Sequence, residues 1–468
     1  MAVSGPVPVE LGDKRIKDLL MQYAVPAIIA MTASSLYNMV DSIYIGHIKD
    51  VGSIAISGLA VTFPLMNLAT ALGTLVGLGA STILSVVLGQ KNYEVAGKVL
   101  VNELLLNIIL GVAFSVVTIA FLDPILMFFG ASDKTLPFAR DYMLVILLGN
   151  VITHMYFGLN NMLRTSGNPK LAMYLTIFTV VSNAILDPVF IFVLDMGIQG
   201  AAIATVLCQL LSLIYSVMYF CNQERFLHFP AKLREYTLDW RIAKDSLSIG
   251  MGPFLMNSAA CIVTLFINQQ LAKYGGDLAI GAYGIVNRIS FVFIMVNMGF
   301  NQGMQPIAGY NFGARRYSRV KKVYWLTVCC TTIVTMCGFI LAQFFPEIAV
   351  ALFTSDPQLT ELSEKGLKIV LMAFPLVGFQ MATTNLFQCL GMVSKSVFMS
   401  LSRQLLFLIP LLYFLPLEFG HEGVWMSFPI ADSISIIVAG LLAMNLFKKL
   451  KNLHDGDDPT GLGSMISA

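Results

Sequence analysis

Twelve stretches of this chain are each long and apolar enough to cross a lipid bilayer. They fall at 17–44, 54–86, 97–122, 137–163, 169–194, 200–221, 246–272, 278–308, 321–345, 363–389, 396–416 and 423–447. A spanning helix needs about 20 mostly apolar residues. Lipid offers the backbone no hydrogen-bond partner, so only helices and closed barrels can cross it. The runs lack the two-residue alternation of barrel strands, which leaves helices. Composition agrees. Charged residues make up 12% of the chain and apolar residues 57%, and the mean hydropathy is +0.76. A soluble domain carries about 25% charged residues. A soluble enzyme, a nucleic-acid binder and a disordered chain are excluded on these grounds. The net charge of +2 points to no polyanionic partner.

Positive charge orients the spans. Twenty-two of the 29 Lys and Arg residues fall in the termini and in one alternate set of connections. Cytoplasmic loops carry the excess of Lys and Arg, so both termini are expected in the cytoplasm and the helix count is expected to be even. The expected organisation is a tail at 1–16, six helices over 17–221, a cytoplasmic linker at 222–245, six helices over 246–447 and a tail at 448–468. The N-terminal residues lack the pattern of a cleaved secretory signal. The glycine-rich end from about Asn452 is expected to be disordered.

The two halves repeat at an offset of about 224 residues. Gly89, Tyr93, Lys98 and Val99 match Gly313, Tyr317, Lys322 and Val323. Asn161 and Gly167 match Asn385 and Gly391, and GIQGAA at 197–202 matches GHEGVW at 420–425. Six spans per half give both halves the same orientation, a parallel repeat about an axis along the membrane normal. The expected fold is therefore all-α, with twelve transmembrane helices in two six-helix bundles around a central cavity, an architecture suited to alternating-access transport.

Charges at membrane depth are costly and mark function by default. Asp41 lies toward the end of the first helix and Asp187 deep in the fifth. At a 1.5 Å rise per residue, Asp187 lies about 25 Å along its helix, and Thr205 enters the sixth helix at a similar level. Asn183 shares a helical face with Asp187, and Asn38 with Asp41. Pro188 removes a backbone donor beside Asp187 and frees a carbonyl. Two carboxylates, amide oxygens and a hydroxyl suit a hard cation such as Na⁺ at Asp41 and Asp187. The same pair could hold a proton, or could simply bond helices together. Pro26, fifteen residues before Asp41, kinks or weakens its helix, either as a bendable point or as a static bend.

The remaining features are weaker. Cys208, Cys221, Cys261, Cys329, Cys330, Cys337 and Cys389 read as buried thiols, without a CxxC pair. No HExxH, phosphate-binding loop or GxSxG occurs, so no catalytic chemistry and no organic cofactor are expected. Arg288 and Asp432 share a depth and are expected to form a structural ion pair. Tyr37, Met66, Asn67, Phe157, Asn301 and Gln302 are candidate cavity residues, because adaptable methionines and aromatic faces suit hydrophobic cations. His154 is expected to be a hydrogen-bonded helix residue, and Gly73 and Gly77 to let helices approach closely.

The sequence resembles the multidrug and toxin extrusion (MATE) family from about Lys14 to Lys451. The resemblance is carried by Pro26, Asp41, LGQKN after the second helix, LRTSGNPK after the fourth, SNAILDP in the fifth and the repeat. It implies a V-shaped pair of bundles, a monomer in the inner membrane, and export of small organic cations against Na⁺ or H⁺. It maps a cation site onto Asp41, Asn183, Asp187 and Thr205, with Asn160 as a further member, although depth along the fourth helix puts Asn160 near the cytoplasmic end. A second branch of the family places coupling acids in helices seven and ten, and this sequence has none there. The rival readings are a flippase for lipid-linked sugars, which calls for several cationic cavity residues, and a non-transporting scaffold.

Overall fold

The structure is a computed structural model that describes residues 10–48, 51–354, 356–451 and 453–457, with the side chains of 36–39, 52, 53, 56, 233 and 277 also outside the description. Every regular element among the described residues is helical. Among the described residues, nine helices are long and apolar enough to span a membrane, and the number rises to eleven when each of two bent pairs counts as one span. The bent pairs are Leu136–Leu148 with Asn150–Thr165, at 54°, and Pro357–Val370 with Phe374–Cys389, at 53°. The last span, Val393–Lys451, is 59 residues long. Gly420, at φ 57 and ψ −137, breaks its helical path. The expected division of this stretch at 416 and 423 brackets that glycine.

The repeat is visible in the backbone. Lys91 and Arg315 both adopt positive φ (60 and 55), as do Gly167 and Gly391 (99 and 68). Each pair is separated by the repeat offset. All four residues close helices in the same way. Asn92 N–H donates to the Val87 carbonyl, Asn168 to Leu163, Arg316 to Asn311 and Met392 to Phe387, at 2.8–3.1 Å. This six-to-one bond with a left-handed residue before it is a Schellman cap, which satisfies orphan carbonyls at a helix end. The LGQKN and LRTSGNPK sequences are thus helix stops. Lys91 and Arg315 hold a conformation that costs an L-residue about 1–2 kcal/mol.

The chain forms two compact units. One contains Ile29–Phe254, and the other contains Lys14–Ile28 together with the chain from Leu255 onward. Both changeovers fall inside helices, within Ile16–Gly46 and within Trp240–Gly276. Glycines explain why. A Cβ on Gly79 would lie 2.7 Å from the Ser246 carbonyl carbon, and one on Gly250 would lie 2.7 Å from that of Leu75. The start of the Trp240 helix therefore lies backbone to backbone on the Gly52–Gly89 helix. In the other unit, a Cβ on Gly303 would lie 2.7 Å from the Ala24 Cα, and one on Gly299 2.9 Å from the Ile28 Cα. Those glycines grip the first helix on either side of the buried Pro26.

Each unit has its own apolar core. The first centres on Ile45, Leu65, Met143, Leu147 and Ala202, the second on Ile267, Val286, Leu367, Leu412 and Trp425. Large apolar residues such as Val116, Ile185, Met218, Ile333 and Ile437 are exposed, as lipid-facing surface must be.

The expected Arg288–Asp432 pair does not form. Arg288 is exposed, and Asp432 accepts from Arg403 Nε at 2.6 Å. Equal depth does not give equal azimuth. Ser402–Leu408 is a π-helical turn, which swings Arg403 out of the register a regular helix would give it. Arg403→Ala would leave the Asp432 carboxylate, 10% exposed, without its cation. The expected cost is about 2 kcal/mol, below the figure for a fully buried pair, read as a lower unfolding midpoint in detergent.

Candidate cation site

The Pro169–Pro188 helix brings Asn183 and Asp187 onto one face and buries both completely. Pro188 cannot donate to the carbonyl four residues back. The chain then widens into a π-helical turn, Val189–Val193, in which Leu194 N–H reaches the Val189 carbonyl at 2.9 Å. Such turns recur at functional sites. Here the turn leaves Asp187 at the end of the regular hydrogen-bond ladder.

Asn183 joins the parts. Its Nδ2 donates to Asp187 Oδ1 at 3.0 Å and to Thr205 Oγ1 at 3.3 Å. Thr205, on the Gly197–Cys221 helix, donates in turn to its own Ala201 carbonyl at 3.0 Å. Asp41, 5% exposed, lies within side-chain hydrogen-bonding reach of Asp187. Four of the expected residues, Asp41, Asn183, Asp187 and Thr205, therefore meet inside one unit. Asp187 Oδ2 and Asn183 Oδ1 are buried and make no hydrogen bond. Bare buried oxygens are costly. Beside a second carboxyl, they form a donor set that fits a proton or a hard monovalent cation.

Asn160 does not join them. Its Nδ2 donates to the Ala172 carbonyl at 3.0 Å and to Thr176 Oγ1 at 3.4 Å, and its Oδ1 accepts from Arg164. Thr176 lies eleven residues before Asp187, about 16 Å along the helix at 1.5 Å per residue. Asn160 belongs to that other end, as its sequence depth had implied. Asn38 and Tyr37 lie outside the described side chains. Met66, Asn67 and Phe157 are half-buried in the first unit. In the second unit, Asn301 is buried and Gln302 half-buried. His154 accepts no role beyond the one expected at its Nε2, which meets the Ala69 carbonyl at 2.9 Å. Gly73 and Gly77 do pack closely, against His154 and against Asn161 and Gly158.

The structure adds Tyr142 and Cys208. Both are buried and lie within electrostatic reach of Asp41 and Asp187. Tyr142 follows Arg140 and Asp141, so in sequence it reads as a loop-edge residue. Cys208 is one turn beyond Thr205, a spacing that would have pointed to it.

The MatE family model matches residues 26–189 and 249–414. The chain is 28% identical over 439 residues to the multidrug export protein MepA of Staphylococcus haemolyticus, covering 92% of this chain and 94% of that protein. It superposes on a structure described as the outward-facing conformation of a multidrug resistance MATE family transporter of the MOP superfamily. The TM-score is 0.89 at 24% identity, over 96% of this chain and 99% of that one. A MOP superfamily transporter from Pyrococcus furiosus, described as having a binding pocket of reverse polarity, matches with a TM-score of 0.88, also at 24% identity and with the same coverage.

Proposed function

The chain belongs to the MatE family of membrane transporters, and on that premise we propose that it exports varied organic cations in exchange for Na⁺ or H⁺. The observation that carries the coupling site is the buried oxygen cluster, with Asp187 Oδ2 and Asn183 Oδ1 lacking partners beside Asp41. The export reading is supported by the multidrug export relative. We place the protein in the cytoplasmic membrane as a monomer, as the family resemblance implies, with both termini inside, as the distribution of Lys and Arg supports.

The chemistry follows from the cluster. The entering cation is cargo, held by the two carboxyls with the Asn183 amide and the Thr205 hydroxyl. Its charge offsets the repulsion between the carboxyls, so the occupied site favours a tighter arrangement of the surrounding helices. A ligand shifts a conformational equilibrium only by its difference in affinity for the two states. Two buried acids supply that difference, because a site that opens to water loses both the desolvation and the repulsion. Pro26 acts as the bending point of the first helix, whose later part carries Asp41. Met66, Asn67, Phe157, Asn301 and Gln302 are proposed substrate contacts.

The test is efflux of a fluorescent organic cation from proteoliposomes under separate Na⁺ and pH gradients. The expected result is efflux driven by at least one of them. Failure of both gradients to move the dye would overturn the exporter reading and turn attention to lipid-linked substrates.

A further inference from the structure

The helix Tyr93–Ala120 carries a carboxyl that the cation site does not use. Glu103 is fully buried, about 15 Å from the helix start at 1.5 Å per residue. Counted from the start of the apolar run at 97, it lies about 9 Å into a hydrocarbon core about 30 Å thick. Its Oε1 accepts from Asn107 Nδ2. Its Oε2 is buried without a partner, as are Asn107 Oδ1 and His154 Nδ1. The carboxyl rests against the facing Asn150–Thr165 helix at Gly158, where a Cβ would lie 2.8 Å from Glu103 Cδ. Only glycine leaves room for it.

Glu103 forms no ion pair among the described residues. The Gly52–Gly89 helix packed beside it has no ionisable side chain except hydroxyls. On the Asn150–Thr165 helix the ionisable groups are His154, Tyr156 and Arg164. Arg164 donates to Asn160 and Asn161, and His154 Nε2 is taken by the Ala69 carbonyl. On the Leu136–Leu148 helix, Arg140 pairs with Asp123 and Tyr142 lies by the acid pair. At the start of the Trp240 helix, Arg241 and Lys244 are exposed and Asp245 is half-buried. Along its own helix, Lys98 pairs with Glu94 at the surface. An isolated ionised carboxylate in such surroundings carries a large desolvation cost.

The repeat shows that the fold does not require an acid here. At the offset of 224, Glu103, Asn107 and Gly111 correspond to Thr327, Thr331 and Thr335, and His154 to Gly378. These three threonines are fully buried. Each donates to a carbonyl of its own helix, at 2.8, 2.8 and 3.0 Å. The same helix seam therefore packs in the second half with every hydroxyl satisfied.

We propose that Glu103 is a proton-binding site in its own right, separate from the Asp41–Asp187 pair, neutral while the two helices are packed and ionised when water reaches the seam. The step is a simple one: the proton leaves Oε2 for water, and the carboxylate keeps the electron pair. A metal ion is the poorer ligand, because it needs several oxygens around it. The spare oxygens here, Glu103 Oε2 and Asn107 Oδ1, come from one helix, and Gly158 fills the facing side.

Infrared spectroscopy of the protein in lipid at pH 7 tests this, because exposed carboxyls are ionised there and only a buried acid shows a protonated C=O stretch. The wild type is expected to show such a band, and Glu103→Gln to lose the component that Glu103 contributes, whatever the acid pair adds. An Asp41→Asn, Asp187→Asn double variant is expected to keep it. A band unchanged in Glu103→Gln would overturn the proposal. Glu103→Thr, which copies the other half, checks that any loss is not misfolding. Should both Glu103 variants fail to fold, the double variant decides, since absence of the band there also overturns the proposal. Neutralising the acid pair leaves this readout intact, so it stands or falls apart from the transport reading.

Discussion

Asp187→Asn is expected to lower gradient-driven efflux by roughly 5–150-fold, the range of a typical coupling free energy, while the protein stays folded. The substitution keeps the shape and the partner of Oδ1, because an amide can still meet Asn183. It removes the negative charge from the site where Oδ2 lies buried without a partner. A cation then gains little by binding, and the gradient no longer biases the cycle. Asp41→Asn is expected to act alike, since the two carboxyls lie within reach of each other. The double variant should be hardly worse than either single one, because groups that act as one unit do not add. Asn160→Ala is the control. Its partners are Ala172, Thr176 and Arg164, so coupling should persist. Equal losses in Asn160→Ala and Asp187→Asn would show that the cluster has no special part in coupling.

Gly250→Ala is expected to be among the most destabilising single-methyl additions in the first unit, and Gly79→Ala to match it. The added Cβ would lie 2.7 Å from a backbone carbonyl carbon in each case. A flexible side chain could rotate away, but a helix backbone cannot. The helices must separate, and overpacking of this kind costs about 1–3 kcal/mol, occasionally more. Separation also loosens the tie that keeps the start of the Trp240 helix in the first unit. Gly440→Ala, where a Cβ meets nothing within 4 Å, should be neutral or slightly stabilising. Unfolding midpoints of purified variants in one detergent provide the comparison. A Gly250→Ala midpoint equal to that of Gly440→Ala would mean that the close crossing is absent from the purified, folded protein.

Much of the fold was legible because a spanning helix is written in one dimension. Asp41, Asn183, Asp187 and Thr205 were found from depth and from four-residue spacing, and the structure brings all four together. Glu103 was legible by the same rule, as a carboxyl at membrane depth inside an apolar run, yet it was passed over. Its meaning needed Gly158 and the threonines of the second half. Asn160 and Arg288 were misplaced for different reasons. Asn160 was matched by resemblance against its own depth. Arg288 was matched to Asp432 by depth alone.

The sequence by itself determined that the chain is helical and membrane-spanning, roughly where its apolar runs lie, that the two halves repeat, and which carboxyls lie deep. These follow from hydropathy, spacing and a rise of about 1.5 Å per residue, all linear along the chain. Tertiary structure alone decided which helix faces meet. Each residue turns a helix by about 100°, so the 54° bend between Leu148 and Asn150 and the π-helical turns at Val189–Val193 and Ser402–Leu408 reset the azimuth of all that follows. Such turns carry no hydropathy signal. They give Asp432 to Arg403, leave Asp187 Oδ2 bare beside Asp41, and set Glu103 against a glycine.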